Sequence, residues 1–239
     1  MHYMIGIDDT DKEGSADTGA LALQLGRQLE KNLRAHMLSI TAHRLFDSPS
    51  LHATHQNRCV CLFMEVDSTR RREVELICRQ FLLRESAPSA NPGFALARWS
   101  EVDASITDWG RLAQHQKLDR LDALSLARKY GISAAGLTGN GSGVIGALAA
   151  IGLYFDGNDG HYLWLPGLSE LKGILKAVEV QQRCDLSRME NHFGRTPMPN
   201  DRIFFPGEVH PLVRDSRSLL LLQAAPRGEA YEWIASDPD

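Results

Sequence analysis

The stretch Ile5-Gly6-Ile7-Asp8-Asp9-Thr10-Asp11 decides how the first part of the chain folds. The segment from Tyr3 to Ile7 is apolar and partly β-branched, which is typical of a buried strand. It leads directly into three carboxylates within four residues. Polar groups at the end of a buried strand lie at the rim of a sheet, where binding sites are commonly built. We therefore predict a strand that ends in a polar site.

The carboxylates of this acidic turn, Asp8, Asp9 and Asp11, repel one another. They raise each other's pKa unless a cation lies among them. Oxygen ligands on a short turn suit Mg²⁺, which is usually held by one or two carboxylates while phosphate oxygens complete its shell. One interpretation is therefore a site for a metal ion and a nucleotide. The alternative is an acidic turn that only keeps the strand end in contact with water.

A polar loop and an amphipathic helix follow the acidic turn. Leucines at every fourth position indicate the helix, namely Leu21, Leu25, Leu29 and Leu33. A strand, a polar turn and a helix in this order place free N–H groups and the positive end of a helix dipole beside a bound phosphate. Ser15, Asp17 and Thr18 all lie where the capping residue would fall. Thr18 is therefore either a cap or a hydroxyl directed at the phosphates.

The next segments predict a layered domain. Strands are indicated over 37–45, 59–66 and 94–99, and a helix over 74–82. The order strand, helix, strand, strand, helix, strand is typical of an α/β or α+β domain. A polar helical segment over 108–130 follows. His52 and His55, in the polar segment before the third strand, are three residues apart and are weak candidates for metal ligands.

A glycine-rich motif, Thr138-Gly139-Asn140-Gly141-Ser142-Gly143, stands directly before a segment that is apolar on every side, Val144 to Gly152. We call the motif the glycine loop and predict that the apolar segment is a buried helix. Glycine lets backbone N–H groups turn towards an anion, so Gly139, Asn140, Gly141 and Gly143 are candidates for phosphate contacts. The alternative is a tight loop that is needed only for packing.

The last part of the chain shows weaker patterns. Strands are indicated over 162–165, 175–180 and 218–223, with an extended connection over 193–211. Strands with intervening helices would suit a ferredoxin-like module. We therefore predict an α+β fold, with a two-layer kinase-like catalytic domain over 1–104 and a ferredoxin-like domain over 105–239.

Composition excludes several classes of protein. The 239 residues are 43% hydrophobic and 23% charged, as in an ordinary globular chain, and the net charge of -4 argues against a general nucleic-acid binder. No secretory signal and no apolar run of membrane-spanning length stand out, so we predict a cytoplasmic protein without membrane contact. The four cysteines lack the paired spacing of a zinc ribbon, and we expect reduced core thiols.

The acidic turn and the segment Val144 to Gly152 behind its glycine loop together resemble the archaeal tRNA agmatidine synthetase family. Weaker similarities lie at Asn57 and at Asn91-Pro92-Gly93. Enzymes of that family use ATP to activate a cytidine of an isoleucine tRNA and join agmatine to it. Their kinase-like and ferredoxin-like domains are followed by an OB-fold and a zinc ribbon, and this sequence has neither of the last two.

The resemblance implies roles for particular residues. Asp8, Asp9 and Asp11 would hold Mg²⁺ and ATP, and Thr10, Asn57 and the glycine loop would contact the nucleotide. Thr18 falls at the family's phosphate-accepting threonine, although the adjacent Asp17 would oppose its phosphorylation by charge repulsion. The family's Arg-Gly-Asn-Gly loop is here His55-Gln56-Asn57-Arg58, and its acidic and Tyr-Arg positions are missing around residues 159–164.

Three functions follow as hypotheses. The first is a Mg²⁺- and ATP-dependent phosphotransferase or ATP-hydrolysing enzyme, with a small molecule or nucleotide favoured over tRNA as its acceptor. The second is a nucleotide- or metabolite-binding protein without turnover. The third is a tRNA-modifying subunit that depends on a separate RNA-binding partner.

Overall fold

The computed structural model describes residues 1–12, 14–47 and 57–237. The chain divides into a first unit, Met1–Asp156, and a second unit, Gly157–Asp239. The boundary that we expected at residues 104/105 lies inside the first unit. The change of composition near this position comes from polar helices of the first unit. A helix with an exposed outer face is rich in polar residues, as a linker between domains is.

The first unit contains five strands and five α-helices among its described residues. They are β1 (His2–Asp8), α1 (Thr18–Leu33), β2 (His36–Arg44), β3 (Arg58–Glu65), α2 (Arg71–Glu85), β4 (Gly93–Arg98), α3 (Ala104–Ala113), α4 (Arg120–Lys129), β5 (Ser133–Gly136) and α5 (Val144–Asp156). The segment predicted as one helix over 108–130 is therefore two helices. Asp119 begins the second one, because its side chain accepts a hydrogen bond from Leu121 N.

The sheet of the first unit has the order β5-β4-β1-β3-β2, and every neighbouring pair is antiparallel. The elements from β1 to β4 form a split β-α-β-β-α-β arrangement, in which β3 separates β1 from β2 and β1 separates β3 from β4. This ferredoxin-like order thus lies in the part of the chain for which we predicted a kinase-like domain. The central strand is β1, which explains why five of its seven residues are buried.

Helices cover both faces of this sheet. Ile5 and Leu62 are opposite each other on β1 and β3, and α1 packs on their face, since Gly26 lies against Leu62 and Met37. Helix α2 covers the same face, where the guanidinium of Arg79 lies over the ring of Phe94. The opposite face is covered by α5, against which α3 and α4 pack. The first unit therefore has three layers; our two-layer prediction concerned residues 1–104, whose helices α1 and α2 both lie on one face of the sheet.

Helix α5 approaches β1 so closely that one position must be glycine. A Cβ on Gly6 would lie 1.8 Å from the carbonyl oxygen of Ala147, a backbone atom that cannot move aside. Residue 144 and residues 146–153 of α5 are all buried. A helix that is apolar on all sides is predicted to lie inside the protein, and the structure shows this arrangement.

The second unit contains seven strands and one α-helix in the part that the structure describes. They are β6 (His161–Trp164), β7 (Gly173–Lys176), α6 (Ala177–Arg183), β8 (Arg188–Glu190), β9 (Arg202–Phe205), β10 (Leu212–Arg214), β11 (Arg217–Ala224) and β12 (Trp233–Ser236). Their order is β6-β10-β11-β12-β9-β7, with β8 beside β11. One seven-residue helix among seven strands differs from the ferredoxin-like module that we predicted for this part of the chain.

The prediction of a mixed α/β protein is confirmed by these elements. Within the described ranges, no helix has both the length and the apolar character that crossing a membrane requires. The four cysteines are buried, and none of them forms a disulfide.

Candidate active site

The acidic turn begins where β1 ends. Asp8 is the last residue of the strand and Asp9 has a left-handed backbone with φ of 52°. Aspartate tolerates this conformation better than most side chains, because its short polar group can bond locally. The alternation of side chains along β1 places Asp8 on the same face as Gly6, the face that α5 covers.

The Asp8 carboxylate lies against the first turn of α5. A Cβ on Gly146 would stand 2.0 Å from Asp8 Oδ2, so the absence of a side chain at residue 146 makes room for the carboxylate. Burial, followed by the negative charges of Asp9 and Asp11, raises the pKa of the Asp8 carboxyl well above its usual range, although Lys12 acts in the opposite direction. The site therefore favours a proton or a cation at Asp8.

Asp9 connects the acidic turn to the glycine loop. Its Oδ2 accepts hydrogen bonds from Asn91 Nδ2 at 3.1 Å and from Ser142 Oγ at 3.3 Å. Its Oδ1 is 3.2 Å from the ammonium nitrogen of Lys12. The two motifs that are more than 130 residues apart in sequence thus share one carboxylate.

Asp11 is part of a chain of hydroxyl groups. Thr10 Oγ1 donates to Thr18 Oγ1, and Thr18 Oγ1 donates to Asp11 Oδ1, each at 2.9 Å. Both threonine side chains are buried. The cap of α1 is Asp17, whose Oδ1 accepts from Ala20 N, so the Thr18 hydroxyl does not cap the helix. This hydroxyl is positioned by a carboxylate instead.

The glycine loop uses its backbone donors within the protein. Gly139 and Gly141 have φ of 58° and 69°, a conformation that favours glycine. Four consecutive N–H groups of the loop donate as follows: Asn140 to Asn91 Oδ1, Gly141 to the Thr138 carbonyl, Ser142 to Asn140 Oδ1 and Gly143 to the Asn91 carbonyl, at 2.8–3.1 Å. These N–H groups are therefore engaged before any anion arrives, which differs from the phosphate cradle that the glycine pattern predicts.

The loop is also packed tightly against the end of the sheet. A Cβ on Gly143 would lie 2.5 Å from the Asn91 carbonyl oxygen and from Gly93 N, and 2.8 Å from the Asp8 carbonyl oxygen. Packing thus requires glycine at residue 143, as the alternative interpretation of the loop supposed.

Asn57 lies directly before β3, which begins at Arg58. Its Nδ2 donates to the Phe46 carbonyl, and its own carbonyl accepts from Leu45 N at 2.8 Å. These hydrogen bonds join Asn57 to Leu45 and Phe46, which follow β2, rather than to the acidic turn. The weak metal candidates His52 and His55 lie outside the described residues.

Three polar residues of the site were not among the candidates from sequence, namely Lys12, Asn91 and Ser142. Ser142 lies inside the glycine loop, so the glycine-rich pattern could have indicated it as a site residue. Asn91 stands next to a Pro-Gly turn, which hides a side-chain role behind ordinary turn chemistry. Within the described ranges, no group of three His, Cys, Asp or Glu side chains is arranged to hold a metal ion.

Comparison with known proteins identifies a related fold. No protein-family model matches the chain, and no curated protein matches its sequence significantly. Solved structures of TiaS, an agmatidine synthetase that acts on tRNA, do match. The complex of TiaS with tRNA and ATP has a TM-score of 0.54 and 25% identity, and apo TiaS has 0.55 and 26%. A tRNA fluorescent labelling enzyme has a TM-score of 0.57 and 25% identity.

These matches cover only part of each protein. They include 64% of this chain, but 36% of the TiaS chain in the tRNA–ATP complex and 36% of the labelling enzyme. The chain thus spans about a third of the length of the structures that it resembles. About two thirds of it has a TiaS-like fold, and its similarity extends to structures that hold ATP or an ATP analogue.

Proposed function

We propose that this chain is an ATP-using enzyme related to the catalytic part of TiaS. The observation that carries the proposal is the position of the Asp8 carboxylate, which lies half-buried beside Asp9 at the end of a central strand and against the first turn of α5. A half-buried carboxylate with a raised pKa among other polar groups is typical of a functional site. The similarity to ATP complexes of TiaS supports a nucleotide as the ligand.

The donor set fits a magnesium ion held by two carboxylates. Among the residues that the structure describes, Asp8 forms no ion pair, while Asp9 is paired with Lys12, a cation that stands at the turn. Asp11 bonds to Thr18 and is less suited to direct coordination. Mg²⁺ commonly takes one or two carboxylates and completes its shell with water and phosphate oxygens. We propose Asp8 and Asp9 as the ligands.

Bound Mg²⁺ would neutralise the charge that develops on the phosphates during transfer or hydrolysis. The residues of the chain would orient the site around it. Asn91 and Ser142 hold the Asp9 carboxylate in one position, and Asp11 holds the Thr18 hydroxyl. The glycine loop, with its N–H groups engaged, would act as a rigid support for Asp9 rather than as an anion cradle.

The test is calorimetric titration of ATP, with and without Mg²⁺, into the wild type, Asp8→Asn and Asp108→Asn. Asp108 is an exposed carboxylate on α3 and serves as the control. We expect Mg²⁺ to strengthen ATP binding at least ten-fold in the wild type and the control, and Asp8→Asn to abolish this gain. Equal affinity in all arms would refute the proposal.

The products identify the class of reaction. Release of ADP and phosphate, or of AMP and pyrophosphate, above the level of an Asp9→Asn variant would establish turnover and distinguish the two bonds of ATP. Mg²⁺-dependent binding without product in the presence of candidate acceptors would favour the second function, a binding protein without turnover.

RNA is the second candidate for the acceptor, because the similar structures include a tRNA complex and a tRNA labelling enzyme. The net charge of -4 opposes strong RNA binding by this chain alone, since phosphate contacts dominate such affinity. We therefore propose that an RNA substrate would need a further RNA-binding chain. Stimulation of ATP turnover by tRNA, with no stimulation by amines or nucleosides, would support this candidate.

A further inference from the structure

Binding of a triphosphate requires positive charge, and the groups of the acidic turn and the glycine loop do not supply all of it. The four N–H groups at residues 140–143 already donate to protein acceptors. The ammonium of Lys12 is paired with Asp9. Mg²⁺ balances only part of the charge of ATP, so a further cation beside the glycine loop is expected.

Arg120 lies in contact with the glycine loop. Its Nη1 and Cδ are 3.3 and 3.5 Å from the point where a Cβ on Gly141 would stand. The Arg120 side chain therefore lies over Gly141, which is itself buried. Gly141 precedes Ser142, whose hydroxyl donates to Asp9. Arg120 therefore contacts the same loop that bonds to the proposed metal ligand.

The start of α4 fixes the backbone of Arg120. It is the first residue of the helix, directly after Asp119, whose side chain accepts from Leu121 N at 2.6 Å. The first turn of a helix also contributes a positive field that favours anions. Among the described residues, Arg120 forms no ion pair with a carboxylate, whereas Arg111 on α3 is paired with Asp156.

We propose that Arg120 binds the phosphate chain of the nucleoside triphosphate beside the glycine loop. The inference rests on the proposed function and deepens it, because it adds the phosphate-binding cation that neither sequence motif contains. A guanidinium presents several donors in a planar fork, which suits the paired oxygens of phosphate. Glycine at residue 141 suits the left-handed backbone, and its missing side chain leaves the guanidinium of Arg120 next to the loop.

The test compares Arg120→Ala with a matched variant, Arg128→Ala, which removes an exposed guanidinium from the other end of α4. The probes are MgATP, inorganic tripolyphosphate with Mg²⁺, and adenosine. We expect Arg120→Ala to weaken binding of ATP and of tripolyphosphate by roughly ten- to hundred-fold, as is usual for a lost charged hydrogen bond. Adenosine binding and the Arg128→Ala variant should be unchanged.

The outcomes separate this inference from the proposed function. If the wild type binds ATP and Arg120→Ala binds it equally well, the role of Arg120 is refuted and the proposed function stands. If the wild type binds tripolyphosphate through Arg120 but does not bind ATP, the proposed function fails and the phosphate site stands. If the wild type binds neither probe, both fail. Arg120→Lys should retain an intermediate affinity, because it keeps the charge and loses the fork.

Discussion

The acidic turn and the glycine loop meet at one carboxylate, but the fold uses their polar groups to different extents. In the glycine loop, four consecutive N–H groups are hydrogen-bonded within the protein and Gly143 is enclosed by backbone atoms. In the acidic turn, the Asp8 carboxyl lies half-buried beside a second carboxylate and has a raised pKa. The glycine loop therefore supports the structure, whereas the acidic turn carries the carboxylates of the proposed metal site.

The largest effect should come from a substitution in the glycine loop. Gly143→Ala would place a Cβ 2.5 Å from two backbone atoms, which cannot move without shifting β4 or the loop. We expect a loss of about 3 kcal/mol or more in the free energy of unfolding, measured with urea. Gly207→Ala, at a position with no atom near the added Cβ, should change it by less than about 0.5 kcal/mol. Equal stabilities would show that the loop is not tightly packed.

The next largest effect concerns the turn and depends on pH. The raised pKa of Asp8 means that the folded state binds a proton more readily than the unfolded state. The stability that it contributes is present below the unfolded pKa and is lost as pH rises through the folded pKa. Without metal, Asp8→Asn should therefore be more stable than the wild type at neutral pH, and the difference should shrink in acid. Unfolding curves across pH would measure it, and a wild type that is more stable at neutral pH would contradict it.

An intermediate effect is expected at Asn91, which bonds to both the acidic turn and the glycine loop. Asn91→Ala removes the hydrogen bonds to Asp9 and from Asn140 N, and leaves the Asn140 donor without its acceptor. We expect a loss of about 2 kcal/mol in the free energy of unfolding and weaker Mg²⁺-dependent ATP binding. Asn200→Ala, at an exposed turn, is the control. A change in stability with unchanged ATP binding would show that Asn91 supports the loop without positioning Asp9.

The smallest effect belongs to the ion pair on the turn. The side chains of Lys12 and Asp9 are 30% and 20% exposed, so water screens their attraction. We expect Lys12→Ala to reduce the free energy of unfolding by about 0.5 kcal/mol or less, and salt at about 1 M to reduce the difference further. A loss of several kcal/mol that resists salt would mean that Lys12 is as structural as the glycine loop.

Sequence patterns predicted the parts of the site that belong to strong local signals. The end of a buried strand indicated Asp8 and Asp9, and the glycine-rich run before an apolar helix indicated the loop in which Ser142 lies, although Ser142 itself was not a candidate. Asn91 and Arg120 could not be predicted in the same way. Their roles depend on β4 lying beside β1 and on the helix break before Arg120, and neither arrangement leaves a periodic pattern in the sequence.

The second unit shows a related limit. Its strands β8, β9, β10 and β12 have three or four residues each, which is too short for an alternation of apolar and polar side chains to stand out. The segment 193–211 was predicted as a connection, although β9 lies within it. The segment 175–180 was predicted as a strand, but residues 177–183 form α6, at whose start Glu179 Oε2 accepts a hydrogen bond from Lys176 N at 2.9 Å.

The close approach of Gly6 and Ala147 means that β1 can complete its packing only after α5 has been synthesised. During synthesis, the acidic turn leaves the ribosome well ahead of the helix that must dock on its strand, which follows some 140 residues later. Contacts of such separation form slowly, because a long loop has to close before they contribute any stability. A nascent chain that lacks α5 would expose the sheet face that this helix covers, and the Asp8 carboxylate would lose its contact with the first turn of the helix.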